Sequence, residues 1–205
     1  GSVRDALLGR LGNDLDFTTP ARPEVVKEIL DEWAETVWDT GIDFGTVSAA
    51  YKGQQIEITT FRSDSYDGQS RNPEVVYGDT LEGDLVRRDF KANAMAIELL
   101  ADASFKFHDP LHGLQDIADR VLDTPDKPEI SFHDDPLRML RAARFASQLE
   151  FRVADRVVEA MRDMAGEIQR ITVERVQVEL DKLICGTAPW DGIDLLVSTG
   201  IADYI

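Results

Sequence analysis

The period of the apolar residues changes once along the chain, near residue 121, and that change calls for two kinds of structure in succession. Before it, short extended runs alternate with short helical ones. Val3 to Gly9 reads as a brief helix with Gly9 near its stop. "DLDFTT" (14–19) reads as a strand. "PARPEVVKEILDEW" has Pro23 at a helix start and Val26, Ile29, Leu30 and Trp33 on one face. "GTVSAAYKGQQIEITTF" is a hairpin turning at Lys52-Gly53, with Glu57, Thr59 and Phe61 on one face of its second strand. Residues 62–80 are polar and aperiodic, a length that marks a functional or disordered loop. "LEGDLVRRDF" is a short helix capped by Thr80, and "NAMAIELLADASFKFHD" is a second hairpin. The class predicted for this part is α+β.

Beyond the change, "LDTPDKPEISFHDDP" carries three prolines and marks a boundary. Helical stretches follow. "PLRMLRAARFASQLEF" is one, "VADRVVEAMRDMA" a second, and "VERVQVELDKLICG" a third that ends at Gly186. No internal repeat interrupts this order.

The net charge of −17 argues against broad electrostatic binding of nucleic acid, so the placement of arginines matters more than their number. No apolar run is long enough to cross a bilayer, and no membrane role is expected. The single cysteine, Cys185, sits in an apolar helical pattern; it predicts a buried, inert thiol and a reducing, cytoplasmic setting.

Asp14 and Asp16 are two apart in "DLDFT", so on a strand they face the same way. Side by side they repel unless a cation joins them. Three readings fit. They could hold Mg²⁺, which takes hard oxygen ligands together with substrate phosphates. Two such ions about 4 Å apart can activate a hydroxyl and stabilise a leaving oxygen. Glu57, mid-strand, is then the candidate third carboxylate, against the alternative that it merely faces solvent. The pair also fits the D-x-D-x-T pattern of haloacid-dehalogenase-like phosphatases, nucleophile first and acid second. That fold, however, needs an apolar strand running into the first Asp, and "LLGRLGN" is a helix end and a turn. An acidic turn with no chemistry is the third.

Arginines are concentrated in two places. "RRDFKAN" groups Arg87, Arg88, Asp89 and Asn93; "DDPLRMLRAARF" sets Arg138, Arg141 and Arg144 three apart along one helix. Guanidinium forks suit phosphate oxygens, although a solvated, ion-paired face is the alternative. Asp135 and Arg138 pair an acceptor with a donor. Cytosine and adenine both offer an amino donor beside a ring-nitrogen acceptor, so this pair could select C and A without a template. Asp135 is equally a good helix N-cap ahead of Pro136.

These stretches, with "EITTFR", "GDLVRRDFKANAMA", "DPLHGLQDI" and "ERVQVELDKLICG", run in order across nearly the whole chain. Together they resemble the class II CCA-adding tRNA nucleotidyltransferase and bacterial poly(A) polymerase family. The resemblance implies a polymerase-β-like nucleotidyltransferase head with a mixed β-sheet over residues 1–125, lacking its first strand. It implies an all-helical neck over 126–205, with the family's body and tail absent. The activity implied is template-independent transfer of CMP and AMP from CTP and ATP to a tRNA 3′ end. Poly(A) polymerase, addition of A or C alone, or an inactive nucleotide-binding fragment are the alternatives. Asp14 and Asp16 would be Mg²⁺ ligands and, with Glu57, the catalytic carboxylates. Gly1, Ser2 and Arg4 would touch the nucleotide sugar and phosphates, and Arg88 the phosphates. Asp89 and Asn93 would belong to the same nucleotide site. Asp135 and Arg138 would read the base, with Arg141 and Arg144 supporting the nucleotide. The polar loop after Phe61 looks like the family's flexible loop. The usual E-D-x-x-R appears as Asp134-Asp135-x-x-Arg138. His108-Asp109 and His133-Asp134 read as structural rather than as metal pairs.

Overall fold

The computed structural model describes residues 1–63 and 76–205, with every side chain in that range except those of Asp14, Ser63 and Val76. The chain divides into two compact units, Gly1–Arg87 with Met95–Pro110, and Arg88–Ala94 with Leu111–Ile205.

The first unit is built on a sheet. Helix α1 (Ser2–Leu7) leads into strand β1 (Asp14–Thr19), helix α2 (Pro23–Asp31) and strand β2 (Thr36–Trp38). Strands β3 (Thr46–Tyr51) and β4 (Gln54–Thr60) form the expected hairpin. Its turn places Lys52 and Gly53 at φ of 50° and 76°, the doubly left-handed geometry that matches strand twist in a two-residue hairpin. The sheet order is β1-β4-β3-β2, with β1 parallel to β4 and the other pairs antiparallel, so the sheet is mixed. Alternation then separates two faces. Val47 and Ala49 turn to α2 and bury against Val26 and Leu30, with Val37 and Ile58 partly buried beside them. Ile29 and Trp33, expected on the same helix face, are exposed: Val26 and Leu30 are the α2 residues in the core cluster, and Trp33 lies past the end of the helix at Asp31. Beyond β4 come β5 (Arg62–Ser63), paired with β6 (Val76–Tyr77), and α3 (Leu81–Val86). Thr80 caps α3 by accepting the Gly83 N–H at 3.2 Å. Strands β7 (Ala96–Leu99) and β8 (Phe105–His108) form the second hairpin. The expected loop over 62–80 thus contains a short strand at each end; its interior, 64–75, lies outside the described residues.

The second unit is mainly helical: α4 (Gly113–Asp119), α5 (Pro128–Asp134), α6 (Leu137–Leu149), α7 (Asp155–Asp163), α8 (Val173–Ile184) and α9 (Pro189–Ser198). A two-residue parallel pairing joins β9 (Val121–Leu122) to β10 (Arg152–Val153). Helix α6 is the hub, packed between α8 and α9. Its Ala142, Ala143, Ala146 and Ser147 are buried small residues that let neighbouring backbones come close. Gly186 and Gly192 complete the approach: a Cβ on either would stand 2.1 Å from Ser147 Oγ or 2.6 Å from the Ala143 carbonyl. Phe90 stacks edge-on against Phe145 at 5.8 Å, and full burial of such a ring contributes about 1.5–3 kcal/mol.

The cysteine expectation is overturned. Cys185 is exposed at the C-terminal end of α8. The buried stripe of α8 runs through Glu179 and Leu183, and a residue two places past Leu183 is turned about 200° away from it.

Candidate active site

Two groups of side chains carry chemistry, one in each unit. In the first, the parallel register sets Asp14 opposite Gln55 and Asp16 opposite Glu57. Neighbouring strands lie about 4.8 Å apart, so Asp16 and Glu57 are direct cross-strand neighbours on the face away from α2. Both are exposed. Like charges directly opposite each other destabilise a sheet, so packing alone does not select this pair. Glu57 makes no hydrogen bond or ion pair among the described residues. Asp14 occupies the next position on that face of β1; its side chain lies outside those described. Among the described residues, no three His, Cys, Asp or Glu converge as a ligand cluster.

Helix α1 fixes the open edge of β1. Ser2 Oγ accepts the Asp16 N–H at 2.9 Å and lies 3.4 Å from Asp16 Oδ2. A strand on a sheet edge otherwise leaves such an N–H unpaired. Gly1 is the exposed N-cap residue of α1, and Arg4 is buried with its fork on Asp5 at 2.8 and 2.9 Å. The rest of the polar face is tied together by Thr46 and Thr59, whose hydroxyls are 2.9 Å apart, and by Arg62, which donates to Thr46 Oγ1 at 3.4 Å.

This placement removes two readings of the aspartates. They lie in a strand, not a turn. Asp14 opens an edge strand, whereas the phosphatase reading needs an apolar strand running into that residue; residues 8–13 form no strand.

In the second unit, Arg141 and Arg144 of α6 are paired with buried carboxylates rather than standing on a solvated face. Arg144 is 8% exposed, and its Nε lies 2.9 Å from Oε2 of the buried Glu179. Arg141 donates from Nε to Asp89 Oδ2 at 2.7 Å and lies 3.9 Å from Glu179. Both guanidinium groups lie over the Phe145 ring. The helix therefore turns these arginines inward, toward two buried carboxylates.

Asp89 is buried and accepts three kinds of donor: the Phe90 N–H and Asn93 Nδ2, each at 2.9 Å, and Arg141. Burial alone would push its carboxyl up. The Arg141 charge and the hydrogen bonds from Asn93, Arg141 and Phe90 together outweigh that and hold it below the usual carboxylate range. Asp89, Asn93 and Arg141 are thus brought together as one buried network. Arg88, beside it in sequence, is half-buried.

Asp135 takes up its capping role. Its Oδ1 accepts the Leu137 N–H at 3.1 Å, in an extended backbone ahead of Pro136. Its Oδ2 accepts Arg175 at 3.0 Å. Arg138 donates to Ser131 Oγ at 2.9 Å. His108 Nε2 meets Glu98 at 2.8 Å, and the His133 carbonyl accepts Arg170.

Sequence reasoning singled out neither Arg175 nor Glu179. A signal for Glu179 exists: it is one turn from the fully buried Leu183 on α8, a charge inside an apolar stripe.

The chain is similar to known proteins along its whole length. Residues 1–123 match the family described as poly A polymerase head domain, and residues 150–205 match one described as probable RNA and SrmB- binding site of polymerase A. The whole chain is 41% identical over 206 residues to the CCA-adding enzyme of Listeria innocua, of which it covers 50%. It is 42% identical to the CCA-adding enzyme of Levilactobacillus brevis, with the same coverage. The chain spans about half the length of the curated relatives it matches. Among solved structures, it superposes with a TM-score of 0.87 and 37% identity on the Bacillus stearothermophilus CCA-adding enzyme in complex with CTP, covering 48% of that chain. It also matches a tRNA nucleotidyltransferase complexed with a primer tRNA and an incoming ATP analog, at a TM-score of 0.83 and 27% identity over 57% of that chain.

Proposed function

The chain belongs to the poly A polymerase head-domain family, that of the class II CCA-adding nucleotidyltransferases and bacterial poly(A) polymerases, and from this we propose that it carries the catalytic and nucleotide-reading part of an enzyme that adds CMP and AMP to a tRNA 3′ end. The observation that carries the reading is the Asp16–Glu57 pair. It places two exposed carboxylates in register on the sheet face that α2 leaves uncovered.

Those donors fit a hard divalent cation such as Mg²⁺, which takes carboxylate oxygens and completes its shell with phosphate oxygens and water. Asp14 and Asp16 are the assigned ligands and Glu57 the third carboxylate. A bound ion would supply charge neutralisation at the α-phosphate and a more acidic attacking hydroxyl. The protein's own residues do the rest. Ser2, through the Asp16 backbone, fixes the direction of β1, and Leu15, half-buried on the opposite face, anchors it. Gly1, Ser2 and Arg4 belong to the sugar and phosphate end of the nucleotide, and Arg88 to its phosphates. Asp135 and Arg138 read the base. A carboxylate has about four lone-pair sites, and capping and Arg175 occupy two, so Asp135 keeps acceptor capacity for an exocyclic amine. Asp89, Asn93, Arg141 and Arg144 form the support under that surface. The head covers residues 1–125 and the neck 126–205 in this reading.

The ligands of the similar structures, CTP, an ATP analog and a primer tRNA, are the substrates proposed here. The test is incorporation of each labelled nucleoside triphosphate into tRNA lacking its terminal nucleotides, by the full-length protein. CMP and AMP enter and GMP and UMP do not. Asp16→Asn abolishes transfer while the unfolding midpoint stays or rises, because one of two opposed like charges is gone, an effect of up to about 1 kcal/mol. Retained transfer in Asp16→Asn would refute the metal-ligand assignment.

A further inference from the structure

We propose that Trp38 is the stacking platform for the terminal base of the acceptor RNA, and so holds the end nucleotide whose hydroxyl attacks at the Asp16–Glu57 carboxylates. The inference rests on the nucleotidyl-transfer reading of those carboxylates and adds to it a binding residue for the acceptor.

The geometry is a single row across the sheet. Trp38 on β2 stands opposite Ser48 on β3, Ser48 opposite Glu57 on β4, and Glu57 opposite Asp16 on β1. Side chains in one such row share a face of the sheet. Val37, the neighbour of Trp38, packs with Val47 and Ala49 into the core under α2, so Trp38 turns to the other face, where the carboxylates are. It is 43% exposed there. Strand spacing sets its Cα about 10 Å from that of Glu57 and about 14 Å from that of Asp16. Ser48 and Ala50 on the same face are small and half-buried, and they make a low floor between the indole and the carboxylates. One nucleotide spans that floor.

Folding does not select an aromatic at this position. Strand β2 is an outer strand of the sheet, and a large exposed apolar residue on an edge invites pairing with other chains. A scattered exposed apolar residue needs no explanation by itself; a tryptophan in the carboxylate row does. Charge gives an acceptor end little hold in this row. Phosphates are held by lysine and arginine, whereas the row offers two carboxylates in a chain of net charge −17. A π-face holds a base without charge, and single-stranded RNA ends are recognised in this way. Stacking also tolerates every base. That suits an acceptor whose last base changes as each nucleotide is added.

The experiment uses the full-length protein and tRNA lacking its terminal nucleotides, with the last nucleotide either intact or abasic. Steady-state incorporation of labelled CMP is measured for wild type, Trp38→Ala, Trp38→Leu, Trp38→Phe and Asp16→Asn. Trp38→Ala is expected to raise KM for the intact acceptor roughly tenfold, to leave KM for CTP within about twofold, and to unfold within about 2 °C of wild type. Trp38→Leu keeps apolar bulk without a π-face and loses affinity as Trp38→Ala does. Trp38→Phe keeps a ring and most of the affinity. The abasic acceptor raises the wild-type KM roughly tenfold and raises that of Trp38→Ala hardly further, a coupling that a purely structural tryptophan does not give. If Trp38→Ala and Trp38→Leu keep the wild-type KM for the acceptor, or if the missing base weakens them as much as it weakens wild type, the platform is overturned. If Asp16→Asn retains transfer, the carboxylate site itself fails and takes the proposal with it.

Discussion

Glu179 shows most plainly what single residues do in this molecule. It is buried, and its nearest cations are Arg144 and Arg141. Removing one partner of a buried pair leaves the other charge without compensation, so Glu179→Gln should cost about 3–5 kcal/mol in urea unfolding. Replacing both partners, Glu179→Leu with Arg144→Leu, should recover most of that stability, because two well-packed apolar groups need no partner. Recovery of stability without recovery of nucleotide binding would assign the arginine a role beyond the fold. The carboxylates of β1 and β4 were legible in the sequence because strand alternation is short-range: Asp16, Glu57 and the hairpin turn at Lys52-Gly53 follow from neighbours alone. Burial of Arg144 and Glu179 was not legible. It depends on two side chains 35 residues apart in sequence, on different helices, and a three-residue spacing says nothing about which face of α6 is inward.

At the scale of elements, the sequence analysis leaves three helices unassigned, α4, α5 and α9, and the last two begin with proline at the first helical position. Pro128 and Pro189 punctuate the sequence like breakers, yet a helix tolerates proline where its N–H would have had no partner anyway. The three prolines, read as a boundary, obscured the helix inside that stretch. The close packing of α6 with its neighbours rests on glycine. A Cβ at position 186 would stand 2.1 Å from Ser147 Oγ, which itself donates to the Leu183 carbonyl at 2.7 Å. Gly186→Ala should therefore destabilise by about 1–3 kcal/mol, and Ser147→Ala in the same chain should return part of the loss. Thermal unfolding of the single and double variants checks this.

For the whole molecule, acid is the informative variable. The folded Asp89 carboxyl lies below its usual range, because the Arg141 charge and its hydrogen bonds outweigh the cost of burial. Asp123 is lowered too: burial opposes it, and hydrogen bonds from Arg156 and Lys91 prevail. A carboxylate with a lowered folded pKa binds fewer protons when folded than when unfolded. Its stabilisation is complete above about pH 4 and is lost as pH falls through the lowered folded value. Urea midpoints should hold steady from pH 7 to 5 and fall steeply below 4, and Asp89→Asn should flatten that slope while lowering stability at neutral pH.

Residues 88–94 belong by contact to a unit from which they are separated in sequence by 95–110. Lys91 bonds Asp123 through both backbone and side chain, and Phe90 and Asp89 meet Phe145 and Arg141. The polypeptide thus passes from one unit to the other three times, as thread passes through two pieces of cloth. A gene cut near residue 125 would strand Asp89 and Phe90 on one product and their partners on the other. During synthesis, the stretch at 88–94 meets its partners only once the α6 segment, some fifty residues further on, has left the ribosome.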